Sequence, residues 1–135
     1  MRGMIPLVAV LAMWVGGCAG KEAEPSLIGP VWVVDSIATA PVLAGSEIIL
    51  KFDADGRSGG KAGCNSYGAA YRLDDTALTF EQAVSTRMFC SPDALMVQEQ
   101  AYLDLLGRVI GFSRTGEELE LYAGNGDAIL FHVKP

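Results

Sequence analysis

Two dipeptides near the end of the chain restrict its fold more than anything else in the sequence. Thr115-Gly116 and Asn125-Gly126 separate three short apolar alternations, Val109–Ser113, Leu119–Tyr122 and Ile129–Val133. Glycine accepts the positive φ that tight hairpin turns need, and Asn-Gly is among the strongest hairpin signals. The three runs therefore predict three successive antiparallel strands. The pattern recurs upstream. Val31-Trp32-Val33-Val34 reads as a first strand, followed by a Pro- and Ala-containing connection from Ala38 to Gly45. Ile48, Leu50 and Phe52 then alternate with Ile49, Lys51 and Asp53, the period-two mark of a half-buried strand. Asp55-Gly56 supplies a further hairpin turn. Ser66 to Leu73 is another strand, closed by Asp74-Asp75, and Ala77 to Phe80 is a short one.

One segment departs from this pattern. Ser91 can cap a helix, Pro92 suits its first position, and Gly107 can end it in a left-handed cap. Between them Ala94, Val97, Ala101 and Leu105 fall on one helical face, with Leu95, Tyr102 and Leu106 beside them. The spacing predicts an amphipathic helix of about four turns packed on the sheet, its stripe reading as core and not as a cofactor or partner groove. The fold class expected is α+β: a curved antiparallel β-sheet or open barrel with one amphipathic helix packed on it.

The amino terminus has a different character. Arg2 precedes an apolar stretch from Met4 to Val15, whose 12 residues fall short of a membrane-crossing helix. A charged start, an apolar centre and a small-residue end describe a secretory signal peptide. Val15-Gly16-Gly17-Cys18 resembles the bacterial lipobox, an aliphatic residue and two small ones before a cysteine. The resemblance implies cleavage before Cys18 and acylation of its thiol and new amino terminus; Ala19 after the cysteine, by the same resemblance, points to the outer membrane. The expected organisation is a lipoprotein signal peptide over 1–17, a lipidated Cys18 with a flexible tether over 18–30, and one domain over 31–135.

Charge and composition exclude several functions. Ten Lys plus Arg against 16 Asp plus Glu give a formal charge of −6, the wrong sign for a nucleic-acid binder. One His and three Cys leave few ligands for a structural zinc site.

Gly63-Cys64-Asn65-Ser66-Tyr67-Gly68-Ala69-Ala70-Tyr71 and Thr86-Arg87-Met88-Phe89-Cys90 carry a family resemblance. With Trp32 upstream and the Ser91–Leu106 helix, they resemble the META domain, also called the HslJ-like domain, over roughly Pro30 to Pro135. Phe89 stands where a smaller residue is usual in that family. The resemblance implies a bacterial envelope protein associated with heat shock and antibiotic tolerance, and it carries over no settled activity.

The residues can also be read without the family. With Cys18 lipidated, Cys64 and Cys90 remain as an even pair in an oxidising compartment, and an exported pair 26 positions apart most simply forms a disulfide. Redox pairs sit closer together, as Cys-x-x-Cys. Gly56-Arg57-Ser58-Gly59-Gly60-Lys61 is no phosphate loop, since Asp55 stands where its first Gly belongs and Ala62 where Ser or Thr would bind magnesium; the glycines read as part of a hairpin. Asp53-x-Asp55-Gly56 echoes half a calcium loop, but the third acidic position and the closing Glu are missing. No metal and no cofactor are expected.

His132 is the sole histidine, so any Ser-His-Asp or Cys-His catalyst must use it, and it lies in an Ile-Leu-Phe-His-Val strand where a packed or edge-facing histidine is ordinary. No catalytic residue is assigned. Asn65 and Thr86 can satisfy backbone groups at a bend, while Asn65, Tyr67 and Arg87 together form the candidate binding surface. The function expected is a non-enzymatic, lipid-anchored envelope protein of stress tolerance, held to the membrane by its lipid and acting through an envelope protein partner or a small ligand. The alternative is an inhibitor or assembly chaperone that binds an exported enzyme or outer-membrane protein.

Overall fold

The computed structural model describes residues 26–135. The expected signal peptide over 1–17, Cys18 and the first part of the expected tether lie outside the described residues. Ten strands and one helix follow in chain order: β1 (Trp32–Ile37), β2 (Ala40–Pro41), β3 (Ile49–Phe52), β4 (Arg57–Lys61), β5 (Ser66–Asp74), β6 (Ala77–Phe80), β7 (Val84–Ser85), α1 (Asp93–Leu106), β8 (Val109–Thr115), β9 (Glu118–Ala123) and β10 (Ala128–Val133). Hydrogen bonding runs through β1, β3, β4, β5, β6, β8, β9 and β10 and returns to β1, so eight antiparallel strands close a barrel. The expected α+β arrangement of a curved sheet with one helix is present, and the sheet is closed.

Closure joins the first barrel strand to the last. Trp32 pairs with Val133, Val33 with His132 and Val34 with Phe131; a bulge at Asp35 then shifts the register so that Ser36 meets Leu130. The inward positions are filled by alternation along each strand: Trp32 and Val34, Leu50 and Phe52, Leu119 and Leu121, and Ile129 and Phe131 are all buried. In a barrel of this size, side chains occupy the interior. Each fully buried Leu, Ile or Phe contributes about 1.5–3 kcal/mol relative to exposure.

The strand Arg57–Lys61 has no apolar alternation, and its glycines, read from the sequence as part of a hairpin, stand in the second strand of the β3–β4 hairpin. A Cβ on Gly60 would collide with the Ile49 carbonyl, and one on Gly59 with that of Tyr67. The two neighbouring backbones come so close that only glycine fits between them. The Asp55-Gly56 turn stands where expected, with Gly56 at φ +87°.

The helix departs from the sequence reading at both ends. Pro92 takes the N-cap position at φ −79° and ψ 168°, with no side-chain cap hydrogen bond, and Ser91 stands one residue too early to cap. Asp93 places its charge in the first turn, where the helix dipole favours it. Gly107 is right-handed at φ −68°, not left-handed, and donates its N–H to Leu103 O at 3.2 Å.

The buried face is also rotated. Of the expected stripe only Leu105 is buried; Ala94 and Ala101 are exposed and Val97 is 70% exposed. The inward stripe is instead Leu95, Glu99, Tyr102 and Leu106, at the i, i+4, i+7, i+11 spacing of one helical face. Hydrogen bonds accepted by the Glu99 carboxylate set this rotation.

The domain's packing begins before β1. Leu27 is buried, Trp32 donates its Nε1–H to Leu27 O at 3.1 Å, and the Arg114 guanidinium lies 4.9 Å from the Trp32 ring centre while donating to Ser26 O. The described part of the Lys21–Pro30 segment is therefore docked on the barrel.

Candidate functional site

The family-like motif converges where the β4–β5 connection meets the helix. Gly63, at φ +103°, turns the chain so that the next two amides face α1. Cys64 and Asn65 donate their backbone N–H groups to Glu99 Oε1 at 3.2 and 2.7 Å, and Asn65 Nδ2 donates to Glu99 Oε2 at 2.7 Å. The same Nδ2 donates to Met88 O at 3.1 Å, while Asn65 Oδ1 accepts Thr86 Oγ1–H at 2.9 Å and Met88 N–H at 2.6 Å. Two donors and two acceptors are all that an amide side chain has. Asn65 is buried and its hydrogen-bonding capacity is filled.

The Cys64–Cys90 disulfide spans the same junction, with Cα atoms 5.9 Å apart. Both thiols are consumed by it. Cys90 N–H also meets Met96 Sδ at 3.5 Å, a further tie to the helix. Together, the bridge and the Asn65 network clamp the segment after β7 onto the start of β5 and onto α1.

Tyr67 points into the barrel. Its hydroxyl donates to Ile49 O at 2.9 Å and accepts from Tyr102, the two oxygens 2.5 Å apart, with the rings edge to face at 5.5 Å between centres. Burial pushes the Tyr67 phenol well above its ordinary value of 10.0, an effect that the Tyr102 hydrogen bond offsets in part. Tyr102 is raised as well, by burial first and then by Tyr67. Both phenols stay protonated and bonded to each other.

Of the three residues expected as a binding surface, Asn65 and Tyr67 are therefore interior and fully partnered, while Arg87 is exposed and makes no ion pair among the described residues. They do not share a face. His132 hydrogen-bonds through Nδ1 to Asp35 Oδ1 at 2.6 Å, a half-exposed contact across the β1–β10 closure, where the bulge turns Asp35 toward it. Its described contacts include no hydroxyl or thiol, so a nucleophilic triad is not assembled there. Asp55 Oδ1 accepts the Arg57 N–H at 3.1 Å, a turn contact. Among the described residues no three His, Cys, Asp or Glu side chains are placed to hold a metal ion.

Glu99 was invisible to the sequence reading. Its signal was an acidic residue spaced with Leu95, Tyr102 and Leu106 on one helical face. That spacing says which way the side chain points only once its amide partners, 34 and 35 positions away, are known.

The exposed surface offers other features. A cleft of about 520 Å³ lies between the Leu43–Glu47 loop, Lys61 and the first turn of α1. The loop is held there by Gln98, which accepts Leu43 N–H at 2.7 Å and donates to Ser46 Oγ at 3.0 Å. On another side the strand edge at β7 borders two clefts, and Val84, Met88 and Phe89 are 76, 54 and 75% exposed.

The META domain model matches residues 25–135, a span that takes in the barrel, the disulfide and the Asn65 network. The chain belongs to the META domain family. Among solved structures, this META domain is similar to an NMR structure of a protein from Burkholderia xenovorans. That protein is 28% identical, with 80% of this chain and 83% of that one covered and a TM-score of 0.63. A second NMR structure, 19% identical over 79% of this chain and 91% of that one, matches with a TM-score of 0.65 and shows the shared fold. No curated protein matches the chain. Among the described residues, no helix of the META domain is long and apolar enough to cross a membrane.

Proposed function

We propose that this META-domain protein is a lipid-anchored envelope protein that works by binding and not by catalysis, in tolerance of heat, antibiotic or other envelope stress. The observation that carries the reading is the commitment of Asn65 and Tyr67 of the motif, with Glu99 and Tyr102 of the helix, to the fold. Asn65 has no free hydrogen-bonding site, Glu99 accepts three donors, and the Tyr67 and Tyr102 hydroxyls bond each other. A catalytic site needs polar groups free to meet a substrate; here the motif makes a clamp, and what it leaves outward is clefts, apolar side chains and Arg87. The lipobox-like Val15-Gly16-Gly17-Cys18 supports the anchor, and Ala19 supports placement at the outer membrane facing the periplasm.

The test is an intact mass of the full chain extracted from its own membrane, before and after reduction and thiol labelling. A mass beginning at Cys18 with acyl chains added, and no labelled thiol until reduction, is expected. An unlipidated mass overturns the anchor. Turnover of any substrate that is abolished by changing a motif residue overturns the binding role.

A further inference from the structure

The chain enters the barrel at a defined end. Because the strands are antiparallel, the β3–β4, β5–β6 and β8–β9 turns share one end of the barrel, and the start of β1 and the end of β10 lie with them. Ser26 and Leu27 are fastened at this entry end. Arg114 donates to Ser26 O and, through Nε, to Gly116 O of the β8–β9 turn at 2.9 Å, while Trp32 Nε1–H holds Leu27 O. The helix lies at the opposite end. There Glu99 is bonded to the β4–β5 connection and Gln98 to the Leu43–Glu47 loop that leads into β3.

Covalent reach then limits how the domain sits on a membrane. Only residues 19–25 separate Cys18 from Ser26, and fully extended they span at most about 28 Å. The described residues, 26–135, make a body about 35 Å across. While Ser26 stays fastened, the α1 end cannot be laid on a bilayer that holds Cys18. Charge sets how closely the entry end approaches. Its three turns carry Asp53, Asp55, Asp75 and Glu117 and no Lys or Arg. All four are exposed, and none is in an ion pair among the described residues. The adjoining strand ends add Asp74 and Glu118 against Arg57, Arg72 and Arg114, and Lys134 at the same end is paired with Glu47 at 3.1 Å. The entry end is therefore acidic with its cations counted, the sign that an anionic headgroup layer repels.

We propose that the domain stands on its own membrane with the entry end toward a zwitterionic headgroup layer and the α1 end turned away, the acidic turns holding it off anionic lipid. The inference rests on the lipid anchor proposed above. It adds the direction from which a binding partner arrives: α1, the disulfide and the cleft beside Lys61 face the aqueous side, beyond reach of the bilayer that holds the anchor.

Paramagnetic relaxation tests this on the full lipidated chain, its intact mass checked first. The chain is placed in nanodiscs of phosphatidylcholine with a trace of gadolinium-chelating lipid, and amide relaxation is read by NMR. The amides of Ala54, Thr76 and Gly116 should be enhanced at least fivefold more than those of Ala94, Val97 and Ala101. Replacing a third of the lipid with phosphatidylglycerol should weaken the entry-end enhancement at low ionic strength, and added salt should restore it. Asp53→Lys combined with Glu117→Lys should abolish the response to phosphatidylglycerol; neither side chain makes a hydrogen bond among the described residues. If that variant unfolds, the salt response of the wild-type chain decides. Equal enhancement at both ends, or a larger one at α1, overturns the orientation and leaves the anchor standing. Entry-end enhancement indifferent to phosphatidylglycerol overturns the part given to the acidic turns. A mass without acyl chains overturns the anchor, and the orientation with it.

Discussion

Glu99 on the helix and Asn65 at the head of β5 meet carboxylate to amide at 2.7 Å, inside the protein, with the backbone amides of Cys64 and Asn65 completing the same carboxylate's partners. This pairing both orients the helix and fixes the motif.

Glu99→Gln keeps the shape but turns a donor toward Asn65 Nδ2. Asn65 cannot flip to accept it, because its Oδ1 already takes Thr86 and Met88. The variant is expected to lose about 1–3 kcal/mol, the cost of a buried donor left without an acceptor, read as a lower urea midpoint with an unchanged slope.

Reducing the Cys64–Cys90 bridge, or replacing both residues with Ser, releases a loop closed across 26 positions. Loop entropy sets the loss at roughly 3 kcal/mol. Denaturation with and without reductant measures it, and the double variant should no longer respond to reductant.

The tyrosine pair is expected to give the protein an alkaline weakness. Burial raises both phenols above the ordinary 10.0. Below pH 10 the folded and unfolded chains hold the same phenolic protons, and stability is unaffected. Above it the unfolded chain releases protons that the folded chain retains, so stability falls as pH rises, by up to about 1.4 kcal/mol per pH unit for each tyrosine. Tyr102→Phe should make that fall shallower. Tyr67→Phe should do so as well, at a larger cost near neutral pH, since it leaves both Ile49 O and the Tyr102 hydroxyl without their partner.

Gly60→Ala is expected to cost about 1–3 kcal/mol, because its methyl meets the backbone of Ile49, which has no free rotation to escape it. Gly124→Ala is the comparison: its nearest neighbour is Ile110 Cδ1 at 3.8 Å, and the change should be below about 0.5 kcal/mol. Thermal melts of the two variants side by side decide whether the close approach of β3 and β4 is what holds glycine there.

Much of the barrel was legible because its signals are local. Alternation along Ile48–Phe52, Leu119–Tyr122 and Ile129–Val133, and the turns at Asp55-Gly56, Thr115-Gly116 and Asn125-Gly126, each depend on a few adjacent residues. The strand Arg57–Lys61 was not legible, since Gly59 and Gly60 are there for what the neighbouring strands do. The helix was found but turned the wrong way. Hydrophobic spacing alone favoured Ala94, Val97 and Ala101, and only three hydrogen bonds from distant amides bring Glu99 inward in their place. Asn65 was expected to satisfy backbone groups at a bend and, with Tyr67 and Arg87, to form a binding surface; its bonds to Met88 and Glu99 agree with the first of these, while Asn65 and Tyr67 are interior fastening points and not a surface.

The barrel is sealed by Trp32–Ile37 lying against Ala128–Val133. A ribosome makes the first of these segments long before the second. Until residue 133 has emerged, Trp32 and Val34 lack their neighbours on one side and the interior stays open to water. Folding of this domain therefore waits for its last strand, and a chain truncated before Ile129 should present that unfinished wall to proteases and chaperones.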